Sequence, residues 1–268
     1  MAIAKSMWAG LAALALLAPA ARADMGLAPL REVLTPDRRE AEFVVSNPSD
    51  RLMEGQVSWI DLAATAEGYD AAAPELREAL SAAPYLVVSP ARFRLEPGAR
   101  QVIRVRLKKG AAFPEGEHRS HLLVETKAER APIRKTGGGL QVDVGLGVSA
   151  PVILRNGGEA KAKIGDTKLL RDEDGLLMLK TRIHPSGDAS TYGRVAVWFT
   201  DAATGETEQL GLRENIAGYT DAIEREVTVP FGFVSLGAGE VRIRYEGAAE
   251  YDGVLFDERV YDIAPPSE

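Results

Sequence analysis

The sequence predicts an all-β protein built from two sandwich-like domains in series, and three features carry that reading. Short runs rich in β-branched and apolar residues recur along the chain, bounded by Gly, Pro, Asn or Asp, while helical periodicity is scarce. About seven such runs in roughly 100 residues is the pattern of a β-sandwich, and it occurs twice, on either side of Asn156-Gly157-Gly158-Glu159. The chain contains no cysteine, so disulfides, zinc–thiolate sites and cysteine nucleophiles are excluded together and core packing has to hold the fold.

At the amino terminus, Lys5 precedes an apolar run from Trp8 to Ala18 that is closed by Ala21-Arg22-Ala23 ahead of Asp24. A positive start, a short apolar stretch and a small-x-small site are the marks of a secretory signal peptide. The run falls short of the roughly 20 apolar residues that a membrane span needs. The expected organisation is therefore a signal peptide at 1–23, cleaved after Ala23, a first domain at 24–157 and a second at 158–268. Hydrophobic residues make up 46% of the chain, enough to bury two cores. The net charge of -7 argues against nucleic acid as a partner, since such proteins concentrate basic surface.

In the first domain, strands are predicted near 42–46, 54–60, 101–107, 121–126 and 140–154. Between them, PELREALSAA at 74–83 combines helix formers with a proline suited to a first turn, and predicts a short helix inserted in a crossing between strands, with a mobile insertion as the alternative. In the second domain the predicted strands lie near 162–170, 176–183, 194–200, 223–229, 240–245 and 254–261. Turn signals such as Asp172-Glu173-Asp174-Gly175 and Leu236-Gly237-Ala238-Gly239 separate them.

The most informative stretch is LQVDVGLGVSAPVIL at 140–154, in which Leu140, Val142, Val144, Leu146, Val148, Ala150, Val152 and Leu154 take every second position. Alternate side chains of a strand point to opposite faces, so one face is apolar throughout. Such a strand is far longer than the usual five or six residues. The alternation fits an ordinary half-buried inner strand as well as one that extends past its own sheet.

Catalytic and metal motifs find little support. His118, His121 and His184 are the only histidines and none sits in a triad-like or metal-ligand motif. His118 and His121 are three apart, which on a strand places them on opposite faces. Gly137-Gly138-Gly139 is followed by no Gly-Lys-Ser/Thr, so it is not a phosphate loop. The acidic residues form no pairing in sequence of the kind a glycosidase requires.

Several segments taken together resemble one family. Pro29-Leu30-Arg31-Glu32-Val33-Leu34 is similar to the opening strand of the PapD-like periplasmic pilus chaperones, and Phe43-Val44-Val45-Ser46-Asn47 to their second strand. Ser89-Pro90-Ala91-Arg92-Phe93-Arg94-Leu95-Glu96-Pro97-Gly98, followed by Gln101-Val102-Ile103-Arg104-Val105, resembles the family's most recognisable block. Pro114-Glu115-Gly116-Glu117-His118-Arg119-Ser120-His121-Leu122 resembles its next strand entry. The resemblance spans essentially all of the mature chain. It implies two immunoglobulin-like β-sandwiches meeting near Arg155 in an L- or boomerang-shaped arrangement, a periplasmic location, and no enzymatic activity or cofactor.

The same resemblance implies partners and a site. A fimbrial subunit that lacks its last strand would accept one from this chain, in transit to an outer-membrane usher. The donor residues would be Val142, Val144 and Leu146, with Leu140 and Val148 extending the row. Arg31 would face the cleft between the domains and hold the subunit's terminal carboxylate. Two departures stand out: the position of the family's cleft lysine holds Pro151, leaving Arg155 as the candidate second anchor, and a family acidic position holds Arg119. These changes and the helical insertion look more like the archaic branch of the family. The alternatives are a secreted structural or carbohydrate-binding envelope protein, which needs no free apolar strand edge, and a carbohydrate-active enzyme, which needs a carboxylate pair in a cleft.

Overall fold

A computed structural model describes residues 25–128 and 146–263 of the chain. Alternation in the sequence becomes burial along the core strands. In EAEFVVS at Glu40–Ser46, Ala41, Phe43 and Val45 turn inward while Glu40 and Glu42 stay in water. The first half of the chain runs β1 (Gly26–Ala28), β2 (Glu32–Leu34), β3 (Glu40–Ser46), β4 (Met53–Ile60), β5 (Leu62–Ala64) and β6 (Tyr69–Ala71). After α1 (Pro74–Leu80) come β7 (Leu86–Ser89), β8 (Arg92–Leu95), β9 (Arg100–Leu107), β10 (Gly116–Ala128) and β11 (Leu146–Asn156). The second half holds β12 (Ala162–Arg171), β13 (Leu177–Pro185), β14 (Thr191–Asp201), β15 (Thr207–Gly218), β16 (Arg225–Gly232), β17 (Gly239–Gly247) and β18 (Leu255–Ile263).

Two sheets face each other in the first half, in the orders β1-β3-β9-β7 and β2-β11-β10-β4-β8. Phe43, Ile103, Leu122, Val124, Val152 and Leu154 fill the space between them and are fully buried. The opening segment is shared between the sheets: β1 pairs antiparallel with β3, whereas β2 pairs parallel with β11. The second half makes a separate sandwich with its own core, in the orders β12-β13-β16 and β15-β14-β17-β18. This is the A-B-E and C-F-G scheme of an immunoglobulin-like sandwich with one strand added beside C. Tyr245 is buried at its centre, its hydroxyl 3.1 Å from the Ile216 carbonyl oxygen and 3.0 Å from the Thr191 hydroxyl. Two immunoglobulin-like sandwiches are thus the observed fold, as expected. No helix among the described residues is long and apolar enough to cross a membrane.

The helix expected at 74–83 is present as α1, with Pro74 in its first turn and a short 3-10 turn at Ala83–Tyr85 after it. Ser120 fixes the insertion to the sandwich by accepting hydrogen bonds from the backbone N–H groups of Ala82 and Ala83 at 3.0 and 2.9 Å. Strand β15 (TEQLGLRENIAG) was not legible as a strand. It is an edge strand that pairs with β14 alone, most of its residues are exposed, and Asn215 takes a left-handed φ of 60°. Polar composition with Gly and Asn reads as a loop unless the paired neighbour is known. Of the long strand expected at 140–154, the described part is β11 from Leu146 onward; residues 140–145 lie outside the described residues.

Candidate functional site

Strand β11 has two faces and one half-open edge. Its even-numbered residues look into the core of the first sandwich: Ala150, Val152 and Leu154 are buried there and Val148 packs against the same cluster. Leu146, at the beginning of the strand, is 37% exposed. On one edge β11 pairs with β10 along its whole length, from Leu146↔Thr126 to Asn156↔Gly116. On the other edge β2 pairs only with Val152, Ile153 and Leu154. Among the described residues no strand covers that edge from Leu146 to Pro151. The cause lies in the opening segment, which crosses to the other sheet as β1 and so leaves β11 without a continuous neighbour.

The odd-numbered face of β11 meets the second sandwich at Ile153 and Arg155. Ile153 is buried there with Val33 and Tyr219 in a small apolar cluster between the two halves. Beside it opens a cleft of about 750 Å³ lined by residues of both halves, among them Leu30, Arg31, Arg155, Tyr192, Glu250 and Tyr251. Arg31, on the short connection between β1 and β2, makes a two-pronged pair with Glu250: Nη1 donates to Oε2 at 2.8 Å and Nη2 to Oε1 at 2.7 Å. Its guanidinium lies 4.6 Å from the centre of the Tyr192 ring. Arg155 reaches the same carboxylate, Nη1 donating to Glu250 Oε1 at 3.0 Å. Its Nε donates to Glu117 Oε2 at 2.8 Å, and its Nη2 to the Ser190 carbonyl and hydroxyl oxygens at 3.1 and 2.9 Å. Burial by itself would push the Arg31 guanidinium down, but the hydrogen bonds and charge of Glu250 hold it above its ordinary value. For Glu250, burial works upward and is outweighed by Arg31 and Arg155, which keep the carboxyl below its ordinary range.

A second charged contact joins the halves on the outer face of β10. Arg119 donates from Nη1 to Asp221 Oδ1 at 2.9 Å and from Nη2 to Asp221 Oδ2 at 2.8 Å, with side chains only 7% and 2% exposed. Its guanidinium also lies 4.0 Å from the Tyr219 ring centre. The β5–β6 hairpin closes over this pair. The Ala64 N–H donates to Asp221 Oδ2, the Glu226 N–H donates to the Ala66 carbonyl, and the Tyr69 and Tyr219 hydroxyls meet at 3.1 Å. His121, two residues beyond Arg119, is 1% exposed and stacks edge-on against Tyr69 with ring centres 4.7 Å apart. Burial first, and the Arg119 charge second, push its imidazole down to about 4. Among the described residues neither of its ring nitrogens has a hydrogen-bond partner.

Of the residues singled out in the sequence, Arg31 and Arg155 come together on one carboxylate, while Leu146 and Val148 lie on the half-open strand. Leu140, Val142 and Val144 lie outside the described residues. Arg119 finds its counter-charge in Asp221. Pro151 sits opposite His121 in the β10–β11 ladder. Glu250, Asp221, Glu117 and the tyrosines that frame the two contacts were missed. Two arginines and a histidine on outward-facing strand positions signal that partners exist, but only tertiary structure says which carboxylates they are.

Scanned against protein-family models the chain matches none, and no curated protein matches it. Among solved structures it is similar to the YadV chaperone at 10% identity, covering 90% of this chain and 100% of that one, with a TM-score of 0.43. It is similar to the Salmonella enterica SafA pilin in complex with the SafB chaperone at 16% identity, with 89% and 96% covered and a TM-score of 0.43. A third likeness is to the CsuC–CsuE chaperone-tip adhesion subunit complex from the archaic Csu pili of Acinetobacter baumannii, at 9% identity, 76% and 98% covered and a TM-score of 0.41.

Proposed function

We propose that this chain is a periplasmic chaperone that lends a β-strand to an incomplete fibre subunit and presents it for assembly at an outer-membrane usher. The observation that carries the reading is the half-open edge of β11 beside a cleft that holds two arginines. An uncovered sheet edge is an aggregation hazard that proteins blunt with charge or cover. Here it leads instead into an alternating apolar run, and Leu146 stands exposed at the junction. A subunit that lacks one strand would take up the backbone bonds of that edge and the apolar row of Val142, Val144 and Leu146 together, with Leu140 extending the row. Each such side chain contributes roughly 1.5 to 3 kcal/mol when fully buried. Val148, packed on the chaperone's own core, would mark the end of the row. Arg31 and Arg155 are the candidate anchors for the subunit's terminal carboxylate, which a guanidinium fork suits.

In this reading residues 1–23 direct export and are removed after Ala23, residues 24–157 form the donor domain and residues 158–268 the second wall of the cleft. The chemistry is recognition, with no catalytic group and no cofactor. The test is co-expression of a fibre subunit with chaperones carrying Leu146→Glu or Val144→Glu. A carboxylate carried into the subunit's apolar groove is strongly unfavourable, whereas Leu146 is exposed in the free chain. We expect both variants to fold with unchanged thermal stability and to lose copurification with the subunit. Normal capture by both variants would refute the strand-donor function.

A further inference from the structure

The cleft arginines are not free. Each Nη of Arg31 donates to Glu250 while its Nε has no partner among the described residues, and Arg155 divides its donors among Glu250, Glu117 and Ser190. Two guanidinium charges face two carboxylate charges, so the cluster carries no surplus positive charge for a visiting anion. The two sides of the pair differ in how they are held. The Arg31 side chain is 6% exposed, beside the Tyr192 ring, whereas that of Glu250 is 27% exposed and sits on the cleft wall. Glu250 is carried by the 3-10 turn Ala249–Tyr251 between β17 and β18, and Ala249 in that turn takes a φ of 57°. A left-handed alanine is a strained residue that its surroundings must hold in place. The cation is thus fixed by the fold, and the carboxylate is presented by a short turn with strain in it.

We propose that the Glu250 carboxylate is a built-in occupant of the Arg31–Arg155 seat, and that a ligand carboxylate binds there only by displacing it. The proposal rests on the reading above that this cleft anchors a peptide's terminal carboxylate, and adds that Glu250 sets the threshold for anchoring. A tethered competitor lowers apparent affinity by the fraction of time it fills the site. A lone carboxylate is therefore refused, while a ligand that also engages the β11 edge gains the second contact at high effective concentration. The seat then discriminates between a subunit already docked on the strand and any stray peptide end.

The experiment uses the full mature chain, acetyl-valine as probe and acetyl-valinamide as the control without charge, and follows the arginine Nε–Hε resonances by NMR. With Glu250→Gln, which keeps the shape and removes the charge, acetyl-valine is expected to shift the Arg31 and Arg155 signals saturably. Its affinity should be at least about tenfold tighter than for the wild type, with no response to the amide. Glu250→Asp, which keeps the charge but withdraws it by one carbon, is expected to fall between the two and serves if the Gln variant does not fold. Equal affinity in wild type and variant, or binding by neither, overturns the proposal. The strand-donor reading is judged separately by Leu146→Glu. Lost subunit capture there, together with a silent Glu250→Gln titration, would remove the seat and leave the chaperone.

Discussion

His121 makes the stability of this fold depend on pH in a defined window. The side chain is buried on the outer face of β10, with Arg119, Asp221, Tyr69 and Tyr219 as its charged and titratable surroundings. Its imidazole is pushed down to about 4 from an ordinary value near 6.5. The folded chain therefore refuses a proton that the unfolded chain accepts, and stability falls as pH drops from about 6.5 to about 4 and levels off below. About 2.5 pH units at about 1.4 kcal/mol each amounts to roughly 3 kcal/mol, a large share of a domain's net stability. The perturbation is His121→Phe, which keeps an aromatic ring against Tyr69 and forfeits no hydrogen bond, since the ring nitrogens have no partner among the described residues. Urea unfolding of both proteins at pH 7.5, 6.5, 5.5 and 4.5 is the assay. The variant should match the wild type within about 1 kcal/mol at pH 7.5, and the difference between them should grow in the variant's favour as the pH falls. If the two curves run parallel down to pH 4.5, His121 is not the titrating group.

Two further outcomes follow from the packing. Arg119→Met leaves the buried Asp221 carboxylate with only a backbone donor at hydrogen-bond distance, and should cost about 3–5 kcal/mol. Adding Asp221→Leu should restore most of that loss, as chemical denaturation of the single and double variants will show. Gly193→Ala would drive a methyl group into the Glu246 carbonyl of the paired strand β17. A loss of roughly 1–3 kcal/mol or more is expected, read as a lowered melting temperature, and an unchanged one would mean that the β14–β17 spacing differs from that described.

Strand alternation made most of the fold legible, because burial in a sandwich follows the same period as the sequence pattern. Ala150, Val152 and Leu154, on the apolar face read from the sequence, are core residues in the fold. Strand β15 escaped because an edge strand with one paired side needs no apolar row, and its Gly211 and Asn215 speak for a turn. For the site, Arg31 and Arg155 were visible as candidate anchors, yet their neutralisation was not. Glu250 is 219 residues from Arg31 along the chain and only a folded second sandwich brings it there. Asp221 is likewise 102 residues from Arg119, in a segment whose composition resembles any surface loop.

That separation along the chain has a consequence for the order of events during synthesis. A chain that emerges from the ribosome amino terminus first presents β10, with Arg119 and His121 on its outer face, long before residue 221 has appeared. Until then the first sandwich has a guanidinium without its counter-ion and a hairpin, β5–β6, with nothing to close upon. The second sandwich supplies the missing charge, the Tyr219 ring and the backbone N–H of Glu226 in one stretch of sequence. It acts as the final step of the first half's own maturation, so a truncated product that ends before residue 221 should be left in a state that quality-control proteases can recognise.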